Sequence, residues 1–331
     1  MKLDPIFTSH AVFAAHKPVR VYGTGNGVAE VSFAGQTQKI VGRDGAWFAE
    51  FPPMEYGGPY QLTFTHGDER VGLDDIYVGE VYLFAGQSNM QFKLKESNTP
   101  QSAYESNDRL RLFNTDKLEA GEYYAAKDGW VKCEKDKAGE WTAIGYLVGR
   151  EIAARKGVAV GVIGCYQGAS VIESWVPRGT FEKIGIRIPV EQKFMDHTFE
   201  DYSAWNGDGV LYGYALSQVT PYAISGVVWY QGESDAMEEE GKVYAQELRE
   251  LVRIWRADFK DAELPFVIVQ IADFTPRACE GWRLIQQAQT EVGNTTPFVK
   301  TVESRDICET DDIHPRSKAA LSARITAAIL D

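Results

Sequence analysis

From residue 79 onward, short apolar runs alternate with stretches of helical period, and this rhythm restricts the fold more than any other feature. Residues 81–85 form a continuous apolar run ending in Gly86, and 158–165, 224–230, 265–271 and 298–302 read as four more strands. An unbroken apolar run of this length reads as a strand buried on both faces. Between the runs, Ile144, Leu147, Val148 and Ile152 share one helical stripe within 141–156. Tyr244, Leu248, Leu251, Val252, Trp255 and Phe259 make a second. Residues 282–292 and 316–330 read as two further helices. Strand alternating with helix predicts an α/β fold: a parallel sheet with helices on both faces. In such sheets the site forms beyond the carboxyl ends of the strands.

Residues 1–78 have a different pattern. Segments 19–23, 28–35, 46–51 and 60–66 are short and partly alternating, and Gly-, Asn- and Pro-rich turns separate them. They predict a small antiparallel β-sandwich over 1–78, followed by an α/β domain over 79–331. Two long stretches, 91–139 and 176–222, show no clear rhythm and read as ordered, functional loops.

Composition narrows the function. A net charge of −13 argues against a nucleic-acid partner and, more mildly, against an anionic membrane. No run approaches the ~18 apolar residues of a membrane span. The first twenty residues lack a signal-peptide pattern, so a cytoplasmic location is the expectation. Cys133, Cys165, Cys279 and Cys308 show no CxxC spacing and read as reduced thiols. With no ligand-spaced His/Cys cluster, neither metal nor cofactor is expected.

Four segments carry chemistry, and three directly follow predicted strands. Gly86-Gln87-Ser88-Asn89-Met90 places a hydroxyl at the sheet edge, with a backbone N–H that can face a developing oxyanion. Residues 164–170, around Gly168, let backbone approach a substrate closely. In the segment from Trp229 to Asp235, Gln231 can offer an amide donor and Glu233 can orient neighbouring groups, while Ser234 or Asp235 can cap the following helix. The fourth segment, Asp311-Asp312-Ile313-His314-Pro315, precedes the last helix. There a carboxylate three residues before an imidazole can hold one ring nitrogen while the other accepts a proton. The remaining histidines, His10, His16, His66 and His197, read as structural. Trp175, Trp205 and Tyr166 are candidate walls for a sugar ring, with core packing as the alternative.

Taken together, GQSNM, the glycine loop after the next strand, WYQGESDA and DxxHP resemble the SGNH-hydrolase superfamily. More narrowly, they resemble the sialate O-acetylesterase and related carbohydrate acetylesterases. The likeness extends over nearly the whole chain, including Gly79-Glu80-Val81, Ile172-Glu173-Ser174-Trp175 and Asp44-Gly45-Ala46-Trp47. It implies a flavodoxin-like sheet and an acetylated carbohydrate as substrate, with 9-O-acetyl sialic acid the first candidate. It implies Ser88 as nucleophile, His314 as base and Asp311 as the orienting acid, with Asp312 the neighbouring choice. Ser88 N–H, Gly168 N–H and the Gln231 amide are the implied oxyanion donors, and Gln87, Asn89, Glu233, Asp235 and Trp175 are expected to support the site or bind substrate. Asp235 stands where many sialate esterases have asparagine, a form shared with xylan acetylesterases, so acetylated xylan oligosaccharides are the alternative substrate. A glycosidase using Glu233 and Asp311, or a sugar-binding module, would leave Ser88 unexplained.

Overall fold

The computed structural model describes residues 1–119, 122–124, 129–187 and 204–331. Residues 1–78 are all β: β1 (Lys2–Leu3), β2 (Val12–Ala14), β3 (Val19–Thr24), β4 (Gly27–Phe33), β5 (Gln36–Gly42), β6 (Ala46–Phe51) and β7 (Gly57–His66). β1, β3 and β6 form a small antiparallel sheet. β4, β5 and β7 belong to a larger one. Aromatic pairs join the two sheets: Phe33 on β4 meets Phe51 on β6 edge-on at 6.2 Å, and Trp47 on β6 stacks on Phe64 of β7 at 5.1 Å.

The next strand, β8 (Glu69–Gly86), passes through the expected boundary at 78/79 without a break. Its first half pairs antiparallel with β7, and its second half is the middle strand of the parallel sheet. The sheet therefore runs continuously from the N-terminal region into the α/β body. Phe13 stacked on Tyr222 at 5.5 Å packs the two parts together.

β13 (Val160–Tyr166), β14 (Gly226–Tyr230), β15 (Phe266–Val269) and β16 (Val299–Val302) complete the five strands read from the sequence. Their order, β13-β8-β14-β15-β16, all parallel, is the flavodoxin order 2-1-3-4-5. Val81, Leu83, Phe84 and Ala85 are fully buried, because helices or other chain cover both faces. Alternation along β14 shows this directly: Trp229 meets Trp255 of the helix Glu238–Asp258, and the next residue, Tyr230, faces Lys318 of the helix Lys318–Leu330.

The stretch 91–139 is less irregular than expected. It contains β9 (Asn107–Asn114), which adds a parallel strand beside β13, the antiparallel pair β10 (Lys117–Glu119) and β11 (Glu122–Tyr124), and β12 (Val131–Cys133), which pairs antiparallel with β9. β9 begins with exposed, charged residues, so only its second half, Leu110 to Phe113, is buried like a core strand. The four cysteines are free. Among the described residues, no helix is long and apolar enough to cross a membrane.

Candidate active site

Three strands end at one level. Gly86 pairs with Tyr166 on one side and with Tyr230 on the other. Gly86 has φ +137°, and a Cβ there would lie 2.1 Å from the Tyr230 carbonyl oxygen, so only glycine lets β8 leave the sheet this close to β14. Gln87 N–H donates to Tyr230 O at 3.0 Å, and Gln167 N–H donates to Gly86 O at 3.0 Å. The chain then winds into a one-turn helix, Ser88–Gln91. Thr142, the N-cap of the helix Ala143–Lys156, donates its hydroxyl to Met90 O at 2.6 Å and holds this turn from behind. Ser88, Gly168 and Gly232 each lie two residues past their strand ends, so the three segments read from the sequence share one edge.

The fourth segment reaches the same edge. Ser88 Oγ and His314 Nε2, 226 residues apart, are 2.8 Å from each other. Both residues are half-buried, and the Phe92 ring lies beside the imidazole at 6.2 Å. With Nε2 accepting from the hydroxyl, the ring proton sits on Nδ1. Among the described residues no carboxylate accepts it. The Asp311 side chain is exposed and does not bond to the ring. Asp312 Oδ1 instead accepts the His314 backbone N–H at 2.8 Å. Burial pushes the His314 pKa below its ordinary value, and the Lys318 ammonium pushes the same way; Asp312 and Glu96 oppose. A neutral imidazole in hydrogen-bond contact with a hydroxyl can take its proton as that oxygen attacks a carbonyl.

Asn89 ties the two segments together. Its Nδ2 donates to Glu233 Oε1 at 2.6 Å and to Ile313 O at 2.9 Å, and its Oδ1 accepts from Lys318 Nζ at 2.6 Å. Asn89, Glu233 and Lys318 are buried. Burial raises the Glu233 pKa and lowers that of Lys318 to about 8. A sealed Glu233 cannot flank a glycosidic bond, so the paired-carboxylate reading lacks an accessible acid.

The oxyanion donors only partly match expectation. Ser88 N–H makes no hydrogen bond among the described residues. Gly168 backbone passes Ser88 closely enough that a Cβ on it would lie 3.8 Å from Ser88 Cβ, but its N–H donates to Gln91 Oε1 at 2.9 Å. Gln231 has to be corrected. It is fully buried, its Nε2 donates to Ser170 O at 2.9 Å and to the Asp235 carboxylate, and its Oε1 accepts from Tyr244. With its amide donors engaged inside the protein, Gln231 is scaffold for this edge.

A family model described as carbohydrate esterase, sialic acid-specific acetylesterase matches residues 78–330. The chain belongs to this family. It is similar to the sialate O-acetylesterases of Pongo abelii (25% identity over 315 residues) and Homo sapiens (24% over 318). Each match covers 84% of this chain, and the chain spans 59% of the length of those relatives. Among solved structures, a carbohydrate acetylesterase from Xanthomonas citri superposes with a TM-score of 0.85 at 26% identity, covering 99% of this chain and 74% of that one.

Within this family member, Gln87 and Asp235 act inside the protein. Gln87 Oε1 accepts from Gly232 N–H at 3.1 Å and Ser234 N–H at 3.4 Å, lashing the serine turn to the next loop. The Asp235 carboxylate accepts from Ile172 N–H at 3.1 Å. Trp175 also needs correcting as a substrate contact: it is fully buried, edge-on to Trp229 and Trp255, and its indole N–H donates to Ser170 Oγ. Trp205 and Tyr166 are buried as well. His10 pairs with Asp75, His16 lies 3.5 Å from Glu55, and His66 bonds the N-terminal amine, all away from Ser88; His197 lies outside the described residues. Among the described residues no group of three or more His, Cys, Asp or Glu could hold a metal. Sequence reading missed Lys318, Gln91 and Phe92. Lys318 carries a faint signal, since it falls four residues after His314 at the start of the closing helix. A cavity of about 570 Å³, lined in part by Phe274, Pro276 and Ile313, opens next to the His314 turn.

Proposed function

We propose that the chain hydrolyses O-acetyl esters of a sugar, with Ser88 as nucleophile and His314 as general base. The observation that carries this reading is the 2.8 Å contact between Ser88 Oγ and His314 Nε2 at the carboxyl edge of the sheet. His314 takes the Ser88 proton while Oγ bonds to the acetyl carbon. The carbonyl oxygen gains charge and is held by Ser88 N–H, and by Gly168 N–H once Gln91 releases it. The bond from the acetyl carbon to the sugar oxygen breaks, and that oxygen leaves with the proton from His314. Water then attacks the acetyl carbon on Ser88 and gives a proton to His314; the bond from that carbon to Oγ breaks, Oγ takes the proton back from His314, and acetate departs. Among the described residues no carboxylate meets His314 Nδ1, so the pair acts as a dyad in this reading.

Sialic acid carrying a 9-O-acetyl group is the proposed substrate, supported by the family description and by the mammalian relatives. Asp235, the residue that separates this sequence from many sialate esterases, is fully buried and accepts from Ile172 N–H and the Gln231 amide. It therefore does not favour xylan by touching substrate. The cavity beside Ile313, with its apolar Phe274 and Pro276, is the proposed seat of the sugar. Acetate release is measured on 9-O-acetyl sialic acid, acetylated xylo-oligosaccharides and an aryl acetate. The sialic acid ester is expected to give the highest kcat/KM, and Ser88→Ala is expected to lose roughly 10⁴- to 10⁶-fold on all three. A fully active Ser88→Ala enzyme contradicts the mechanism, and preference for the xylan ester contradicts the substrate.

A further inference from the structure

We propose that Lys318 is a positioning residue for this reaction: its buried ammonium clamps Asn89 so that the Asn89 amide holds the His314 turn against the Ser88 turn. The inference rests on the Ser88–His314 reading above and adds a residue that touches neither substrate nor the reacting atoms.

The contacts form a chain from lysine to imidazole. Lys318 Nζ donates to Asn89 Oδ1 at 2.6 Å, which fixes which end of the Asn89 amide faces it. The Nδ2 end must then point the other way, where its two hydrogens meet Glu233 Oε1 and Ile313 O. Asn89 follows Ser88 directly and Ile313 precedes His314 directly, so this single amide spans the two segments whose side chains meet at 2.8 Å. Removing the ammonium frees the amide to turn over, and its oxygen would then confront the Ile313 carbonyl. A buried ammonium is costly to keep unless it is paired. Here it is held by Asn89 Oδ1 and by the faces of Phe92 at 4.9 Å and Tyr230 at 5.4 Å.

The ammonium also acts at a distance. His314 is faced by Asp312 from its own turn, by Glu96 from beyond the serine helix, and by Lys318 from the closing helix. Lys318 is in turn faced by Cys308, Glu233, Glu309 and Asp312. Among the described residues, Lys318 is the one cation in the set around His314, and it favours the neutral, proton-accepting ring.

The test compares Lys318→Met with the parent on an aryl acetate across pH, each checked for a cooperative thermal transition. Displacement of the imidazole by a fraction of an ångström is expected to lower kcat about 10- to 100-fold, with KM within about two-fold. The acid limb of kcat/KM is expected to move to higher pH, because the cation that favours the neutral ring is gone. A folded Lys318→Met enzyme with parental kcat and an unmoved acid limb overturns the proposal. If Lys318→Met does not fold, Asn89→Ala decides: it leaves the lysine in place, and a parental kcat overturns the proposal while a fall supports it. Ser88→Ala is run alongside. If it retains the parental rate, the esterase reading fails first and this inference with it.

Discussion

At the residue scale, the site depends on which group holds the imbalance of charge on His314. The sequence offers two adjacent aspartates, and DxxH spacing favours the first. The backbone selects otherwise: Asp312 Oδ1 accepts the His314 N–H and closes a tight turn, which leaves Asp311 pointing to solvent. A spacing rule counts residues along the chain. It cannot register that the nearer carboxylate is already used to shape the turn. A net hydrogen bond of this kind contributes about 1 kcal/mol. Asp312→Ala is therefore expected to lower kcat/KM for an aryl acetate by roughly five-fold, since about 1.4 kcal/mol is ten-fold in rate. Asp311→Ala is expected to stay within about two-fold of the parent. Steady-state kinetics on the two variants checks the order, and a larger loss at Asp311 would restore the triad reading. Gln231 and Trp175 illustrate a second limit of the sequence. Their positions beside the strand ends were legible, but whether each side chain turns toward the pocket or into the core is decided by partners such as Ser170 and Tyr244, which come from other parts of the chain.

At the element scale, the edge is built by strand ends in register, and Gly86 is where that register is most exposed to change. Tyr230 O lies where a side chain at 86 would have to go, and φ +137° is a conformation that non-glycine residues avoid. Gly86→Ala is expected to cost about 3 kcal/mol or more of stability. Because Ser88 is two residues away, kcat is expected to fall as well. Chemical denaturation together with acetate release measures both, and an alanine variant of parental stability would show that β8 and β14 can part there without penalty. Most of the parallel strands were legible because burial on both faces writes itself as an apolar run; β16 (Val-Lys-Thr-Val) has an exposed Lys300 and was read from its place in the strand-helix rhythm. β9 was missed because half of it is exposed and charged and its identity as a strand depends on pairing with β13. Lys318 was missed for a related reason: a lysine at the start of a helix normally reads as solvated, and only the folded arrangement surrounds it with Asn89, Phe92 and Tyr230.

At the scale of the whole molecule, one strand joins both parts. β8 starts in the N-terminal β region and ends at the serine turn, and it is clamped midway by Glu80, whose carboxylate accepts from Tyr56 at 2.6 Å, Tyr82 at 3.0 Å and Lys156 at 2.5 Å. Composition changes near residue 78, but composition does not show that a backbone runs straight across it. The same strand leads to the serine at the sheet edge where His314 waits, so the proposed chemistry depends on that residue. The most direct measurement is labelling with a serine-directed organophosphonate ester, followed by peptide mapping and by labelling rates across pH. One phosphonylated residue, Ser88, is expected, with a rate that holds at pH values below the ordinary histidine pKa of about 6.5, because burial and Lys318 favour neutral His314 there. Modification at a different residue, or an unlabelled Ser88 in a preparation that still releases acetate, would contradict the proposed chemistry.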